Sequence, residues 1–208
     1  MLKRLLLIVL LLPSLVFADE FVAGKDYELV IGPTVNANTN KVTITEFFSY
    51  GCPWCYRLEP ALMTWLEQQG DKVQFSRVPV VFNKDWKVYA KAYYTAHLLG
   101  LETKINPALF KAIQTDKRNL TNNEAMVGFF TTEGADNATV KSAFENSTMV
   151  DLQIAQDAAL MSHYHVNGVP AVVVNNHYKT DLQMAQNQER FFKILNFLVD
   201  KAKQDKKA

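Results

Sequence analysis

The chain carries two cysteines, Cys52 and Cys55, separated by Pro53 and Trp54. A pair at this spacing has three ordinary uses: a structural disulfide, half of a zinc site, or a dithiol that cycles. A structural bridge stabilises by closing a loop, and a loop this small removes little entropy from the unfolded chain. Structural zinc takes four ligands, often a second Cys pair or spaced histidines. No second pair exists, and His97, His163, His165 and His177 do not supply the spacing, so no metal is expected. The chemistry favoured is thiol–disulfide exchange, in which a thiolate attacks a disulfide sulfur. One sulfur must then ionise readily, because the thiolate is the nucleophile.

The flanking residues suggest how. Val42 to Ser49 is β-branched and aromatic, with apolar residues at both parities, the pattern of a strand buried on both faces. Gly51 breaks it. Pro53 suits the first helical position, where its missing N–H does no harm. From there Cys55, Leu58, Leu62, Trp65 and Gln69 recur at steps of three and four, as far as Gly70. Cys52 is therefore expected just ahead of a helix, where unpaired N–H groups and the positive end of the helix dipole favour an anion. Cys55 is expected one turn inside, covered. Cys52 would attack and leave, and Cys55 would resolve. Pro60, inside the helix, is expected to kink it.

Tyr27 to Ile31 predicts a short first strand, and Val35 to Lys41 a turn or loop. Val73 to Val81 is the strand after the helix, with Pro79 marking its end or an edge. Helical spacing then recurs in residues 86–99, 107–114, 122–132, 137–146 and 149–163. Ala171 to Val174 is a short strand entered through Gly168-Val169-Pro170. Asn175-Asn176 is a turn, with His177 to Lys179 as the hairpin partner. Gln188 to Ala202 is an amphipathic closing helix, with Phe191, Phe192, Ile194, Leu195 and Leu198 on or near its inner face. Strands separated by long helical crossovers give a mixed central sheet with flanking helices. The class is α/β with a large inserted helical domain. Residues 19–83 and 161–208 form the sheet domain and 84–160 the insertion.

Residues 1–18 read as a signal peptide. Met1-Leu2-Lys3-Arg4 is a charged head, Leu5 to Leu12 a short apolar run, and cleavage is expected after Ala18. The run falls short of the roughly 20 apolar residues a spanning helix needs. Lys and Arg total 22 against 21 Asp and Glu, so no basic excess points to nucleic acid. Lys201 to Ala208 is expected to be a solvated, frayed end.

The run Glu46-Phe47-Phe48-Ser49-Tyr50-Gly51-Cys52-Pro53-Trp54-Cys55-Tyr56 resembles the active-site segment of bacterial DsbA proteins. Gly168-Val169-Pro170-Ala171 resembles that family's cis-proline loop, and the helical block is similar to the DsbA insertion into a thioredoxin fold. The resemblance covers nearly all of the chain after Ala18. It implies a thioredoxin fold and a periplasmic enzyme that introduces disulfides into unfolded exported proteins with reduced cysteines. It implies no cofactor beyond the Cys52–Cys55 disulfide, a DsbB-type membrane oxidase to restore it, and a monomer. Cys52 would form the mixed disulfide and Cys55 resolve it. Pro170 would follow a cis peptide bond and, with Val169, receive substrate in an extended form. Glu46 matches a buried acid below the site, and Arg77 a family Lys that can pair with it. Pro53, Trp54 and Arg77 are placed to tune the redox pair. Trp54 is a departure, since the best-known members have His there, a cation that would help hold the thiolate. Trp54 would instead offer apolar contact to substrates, or simply pack at the helix start. Pro60 is more like the kinking proline of thioredoxin.

Glu46 also stands out on physical grounds. A carboxylate in an apolar strand is costly unless paired or protonated. Buried and with a raised pKa it could relay protons to Cys55; the alternative is a strand-end residue facing water. Arg77 is equally its partner or an ordinary exposed edge charge. Two other functions compete. A disulfide isomerase or reductase shares the fold, but a separate N-terminal dimerisation domain is not expected here. A chaperone-like peptide-binding module would leave the intact Cys pair without a use.

Overall fold

The computed structural model describes residues 21–31 and 41–205. The expected signal peptide, residues 1–18, and most of the loop expected at Val35 to Lys41 lie outside the described residues.

The apolar run at residue 42 forms β2 (Val42–Phe48). It pairs in parallel with β3 (Val73–Pro79) on one side and antiparallel with β4 (Ala171–Val174) on the other. Beyond β4 lie β5 (Tyr178–Asp181) and the two-residue β1 (Glu28–Leu29), both antiparallel, giving the order β1-β5-β4-β2-β3. Pro79 thus sits on an edge strand, where no partner needs its missing N–H. A parallel pair requires a long crossover, and α1 (Pro53–Gln69) supplies it between β2 and β3.

Both faces of β2 are covered, as the lack of alternation predicts. Val42 and Ile44 pack against Leu58, Leu62 and Trp65 of α1 and against Phe191, Ile194, Leu195 and Leu198 of α8 (Gln188–Asp205). Phe47, of opposite parity, packs with Val78, Val173 and Tyr164, the last just after α6 (Thr148–His163). The buried residues of α1 are Cys55, Leu58, Leu62 and Trp65, the predicted stripe.

Five helices connect β3 to β4: α2 (Lys84–Leu98), α3 (Glu102–Gln114), α4 (Asn123–Thr132), α5 (Asn137–Asn146) and α6. Asn83, Asn122, Asp136 and Ser147 each accept a backbone N–H with their side chains at a helix start, satisfying a donor that has no partner within the helix. The block's buried residues, including Leu109, Phe110, Met126, Phe130, Val140 and Phe144, form one cluster that continues into Phe48, Tyr50, Cys52 and Cys55. α3 begins before the predicted Pro107, which lies inside it. Its cap position is Leu101, whose side chain makes no capping bond, so the sequence carries no start signal there.

Asn175 and Asn176 have φ of 52° and 56°, and His177 N–H donates to Val174 O at 3.0 Å. That is the geometry of a type I′ turn, which Asn tolerates. The returning strand therefore starts at Tyr178 rather than His177. α7 (Leu182–Ala185) is a single turn, too short to leave a periodic signal. α8 continues through Asp205, with Ala202 buried and the Tyr178 hydroxyl donating to the Asp205 carboxylate. The order thus extends past Lys201, where a frayed end is expected, because the inner face of that last turn has partners in the core and in Tyr178. No helix among the described residues is long and apolar enough to cross a membrane.

Candidate active site

β2 delivers the chain into the turn Ser49-Tyr50-Gly51, and Cys52 follows as the N-cap of α1, with extended backbone (φ −91°, ψ 114°). Pro53 occupies the first helical position, as predicted. The Cys55 N–H donates to Cys52 Sγ at 3.3 Å, and Cys52 Sγ–H donates to the Val169 carbonyl at 3.3 Å. Both cysteines are free thiols and buried. The Val169–Pro170 peptide bond is cis. The structure therefore brings together Cys52, Cys55, Val169 and Pro170, which lie far apart in the sequence.

The two sulfurs differ in acidity. The Cys55 thiol beside it, together with the Cys55 and Trp54 backbone N–H groups, lowers the Cys52 pKa to about 7, against burial and the charge of Glu46. Cys55 is pushed well above the ordinary thiol range by burial first, then by Cys52 and by Glu46. Among a pair this close the more acidic sulfur is the better leaving group, and here that is the outer one.

Below the pair lies a charge cluster. Glu46 is two residues after Ile44 and so on the same face of β2, the face under α1. It is 1% exposed, and burial raises its pKa to about 7 despite the nearby Arg77. Arg77 is its register partner on β3 and only 9% exposed. The reading of Arg77 as an exposed edge charge is therefore wrong: the backbone is at the edge, but α1 covers the side chain. Arg77 Nε donates to Glu46 Oε2 at 2.7 Å, and Nη2 donates to Glu59 of α1. Burial opposes the charge on Arg77, but the two carboxylates outweigh it and hold the guanidinium charged. Glu46 is not a strand-end residue facing water.

Glu59 escaped the sequence reading. It stands four residues after Cys55, so the helical period alone places it on the covered face. The helical block was also read only as an insertion, yet it holds the active-site turn. Gln114 Nε2 donates to the Tyr50 carbonyl at 2.6 Å, and the Tyr50 hydroxyl donates to Asn106, both from α3. The Trp86 indole of α2 lies against Gly51. Trp54 is 58% exposed and lines a cleft of roughly 470 Å³ together with Val169 and Pro170. No group of three His, Cys, Asp or Glu able to hold a metal occurs among the described residues.

The family model of the DSBA-like thioredoxin domain matches residues 43–198. The chain belongs to this family. It is 39% identical over 186 residues to the thiol:disulfide interchange protein DsbA of Burkholderia cepacia, covering 89% of this chain and 87% of that one. To the DsbA of Pseudomonas aeruginosa it is 33% identical over 184 residues, covering 88% and 87%. The crystal structure of Pseudomonas aeruginosa DsbA superposes with a TM-score of 0.84 at 32% identity, over 92% of this chain and 99% of that chain. The oxidoreductase NmDsbA1 of Neisseria meningitidis gives a TM-score of 0.76 at 25% identity, over 90% and 96%. The fold is a thioredoxin fold with the DsbA helical insertion, and the chain is a disulfide-forming thiol:disulfide oxidoreductase of the DsbA family.

Proposed function

We propose that this DsbA-family enzyme oxidises the cysteines of unfolded exported proteins in the periplasm, with Cys52 as the exchanging sulfur. A substrate thiolate attacks Cys52 Sγ of the Cys52–Cys55 disulfide. The S–S bond breaks, its electron pair goes to Cys55, and the substrate is joined to Cys52. Cys55 takes up a proton, for which Glu46, with a pKa near neutrality, is the donor below it. A second substrate thiolate then attacks the substrate sulfur and releases Cys52 as a thiolate. The substrate leaves with a new disulfide, and the enzyme is left as the dithiol. Val169 and Pro170 receive the substrate in an extended form, and Trp54 offers it apolar contact. Pro53, Trp54 and Arg77 tune the pair.

The observation that carries this reading is the placement of Cys52 at the start of α1, with the Cys55 N–H directed at its sulfur. Such donors favour thiolate over thiol, and a stabilised reduced form makes the disulfide an oxidant. Export rests on the pattern of residues 1–18, and the periplasm, a DsbB-type membrane oxidase that restores the disulfide, the monomeric state and the absence of any other cofactor rest on likeness to DsbA. The test is oxidation of a reduced multi-cysteine protein, run beside refolding of its scrambled form. Wild type is expected to act mainly in the first assay. Cys52→Ser should abolish it, and Cys55→Ser should accumulate a mixed disulfide through Cys52 with the scrambled protein, whose disulfides it can attack. Activity surviving Cys52→Ser would overturn the reading; a preference for the scrambled protein would make the enzyme an isomerase.

A further inference from the structure

We infer that Arg57, held against the face of Trp54, selects substrates that carry an acidic side chain close to the reactive cysteine. This rests on the exchange reading above. The cleft beside Cys52 is lined by Trp54, Arg57 and Leu58 of α1, by Val169 and Pro170, and by Asp181 and Gln183. Trp54 and Arg57 are three residues apart and so share one face of the helix. The Arg57 guanidinium carbon lies 4.8 Å from the Trp54 ring centroid, a distance at which the ring quadrupole attracts a cation. Both side chains are exposed at the mouth of the cleft.

Stacking orients Arg57 but leaves its charge uncompensated. Among the described residues it has no carboxylate partner, unlike Arg77 and Arg190, each of which pairs with a buried acid. The cleft's one acid, Asp181, keeps its negative charge but has Oδ1 taken by the Met184 N–H at 2.7 Å, where it caps α7. For an incoming carboxylate the cleft therefore offers one cation, Arg57, with no carboxylate partner of its own. A substrate segment extended along Val169 turns alternate side chains to opposite sides; with its cysteine turned toward Cys52 at the head of α1, the residues two positions away face the α1 wall. A guanidinium already fixed on a ring loses little freedom on pairing and can grip a carboxylate with two parallel hydrogen bonds. Arg57 is not among the leading influences on the acidity of Cys52, which are the Cys55 thiol, burial, the backbone N–H groups and Glu46. It is a specificity residue, and its substitution should alter binding while leaving the sulfur alone.

The test uses oxidised full-length protein and reduced two-cysteine peptides that differ only in Glu, Gln or Lys two residues from one cysteine. Each rate is normalised to that of the same peptide with a small disulfide, which removes the effect of flanking charge on the thiol itself. Wild type is expected to favour the Glu over the Lys peptide by roughly three- to fivefold in kcat/KM, the most an exposed ion pair supplies. The preference should lie in KM and fade at high salt. Arg57→Gln should erase it and Arg57→Glu should reverse it, with the thiolate titration of Cys52 unchanged in both. A Glu preference that survives Arg57→Gln would overturn the inference, as would a variant that slows all peptides equally and shifts the titration. Equal normalised rates in wild type would sink the selection alone; failure to oxidise any peptide or reduced protein would sink the exchange reading itself.

Discussion

Arg77 and Glu46 are register partners on parallel strands, joined by a 2.7 Å hydrogen bond, and the same guanidinium reaches Glu59 on the helix above. One buried cation thus ties β2, β3 and α1 together directly beneath the redox pair. Removing one member of a buried pair leaves the other uncompensated, at a cost of about 3–5 kcal/mol. Arg77→Ala is expected to lose stability of that order at pH 8. The loss should shrink at pH 5, where Glu46 can meet burial by taking a proton. Urea unfolding of both proteins at the two pH values measures the difference; equal losses would show that the effect is packing alone.

Glu46→Gln makes a second, separable prediction. Burial raises the Glu46 pKa above its ordinary value to about 7, so the folded state holds this proton more tightly than the unfolded chain. The group's contribution therefore falls as pH rises from the ordinary carboxyl pKa to about 7, and is level above. Glu46→Gln should flatten that segment of the stability–pH curve. It also removes a negative charge that raises the pKa of Cys52, so the thiolate absorbance of the reduced protein should titrate at lower pH. Release of Cys55 should slow in single-turnover exchange, because the amide has no proton to give.

The proposed tuning of the pair by Trp54 is tested by placing His there. In wild type the Cys52 thiolate is expected to titrate near pH 7. Trp54→His puts a titratable cation at the helix start and should move that midpoint down. Each unit by which the thiolate pKa falls raises the reduction potential by up to about 30 mV. Equilibration in glutathione buffers reads the potential directly, and a His variant no more oxidising than wild type would refute the expectation.

Gly51 is constrained by contact rather than by φ. A Cβ there would come within 3.0 Å of Trp86 Cδ1 and Cε2 and closer still to Nε1. Trp86 packs between the core of the helical block and the cluster under β4, so it has little room to retreat. Gly51→Ala is expected to destabilise by about 1–3 kcal/mol, as overpacking does, and to shift the tryptophan emission. Gly51→Ala with Trp86→Phe should recover part of the loss, which thermal unfolding will show.

Local pattern made much of this legible. The stripe Cys55, Leu58, Leu62, Trp65 fixed which face of α1 is buried, and β2 declared two-sided burial through its unbroken apolar run. What escaped was tertiary. The helical period puts Glu59 on the covered face, but its role appears only when Arg77 is placed beneath it. Arg77 looks exposed because an edge strand's backbone is open, although α1 roofs its side chain. Gln114 and Asn106 gain their meaning only when α3 lies against Tyr50, and nothing in a helical period says which neighbour a polar residue will meet. The early start of α3 was hidden because Leu101 offers no cap and Pro107 mimics a first helical residue.

Cys52 and Cys55 belong to the same buried cluster as Phe48 and Tyr50 on one side and Tyr89, Phe110 and Phe130 on the other. The redox pair therefore shares one apolar cluster with both parts of the chain. Exchanging the helical block for that of a relative would change the dielectric surroundings of the thiols without altering a residue of the Cys52–Cys55 segment. Chimeras that keep the segment 46–56 and replace 84–160 should accordingly differ in potential from one another, and the block's α3 contacts with Tyr50 are where that inherited difference would be written.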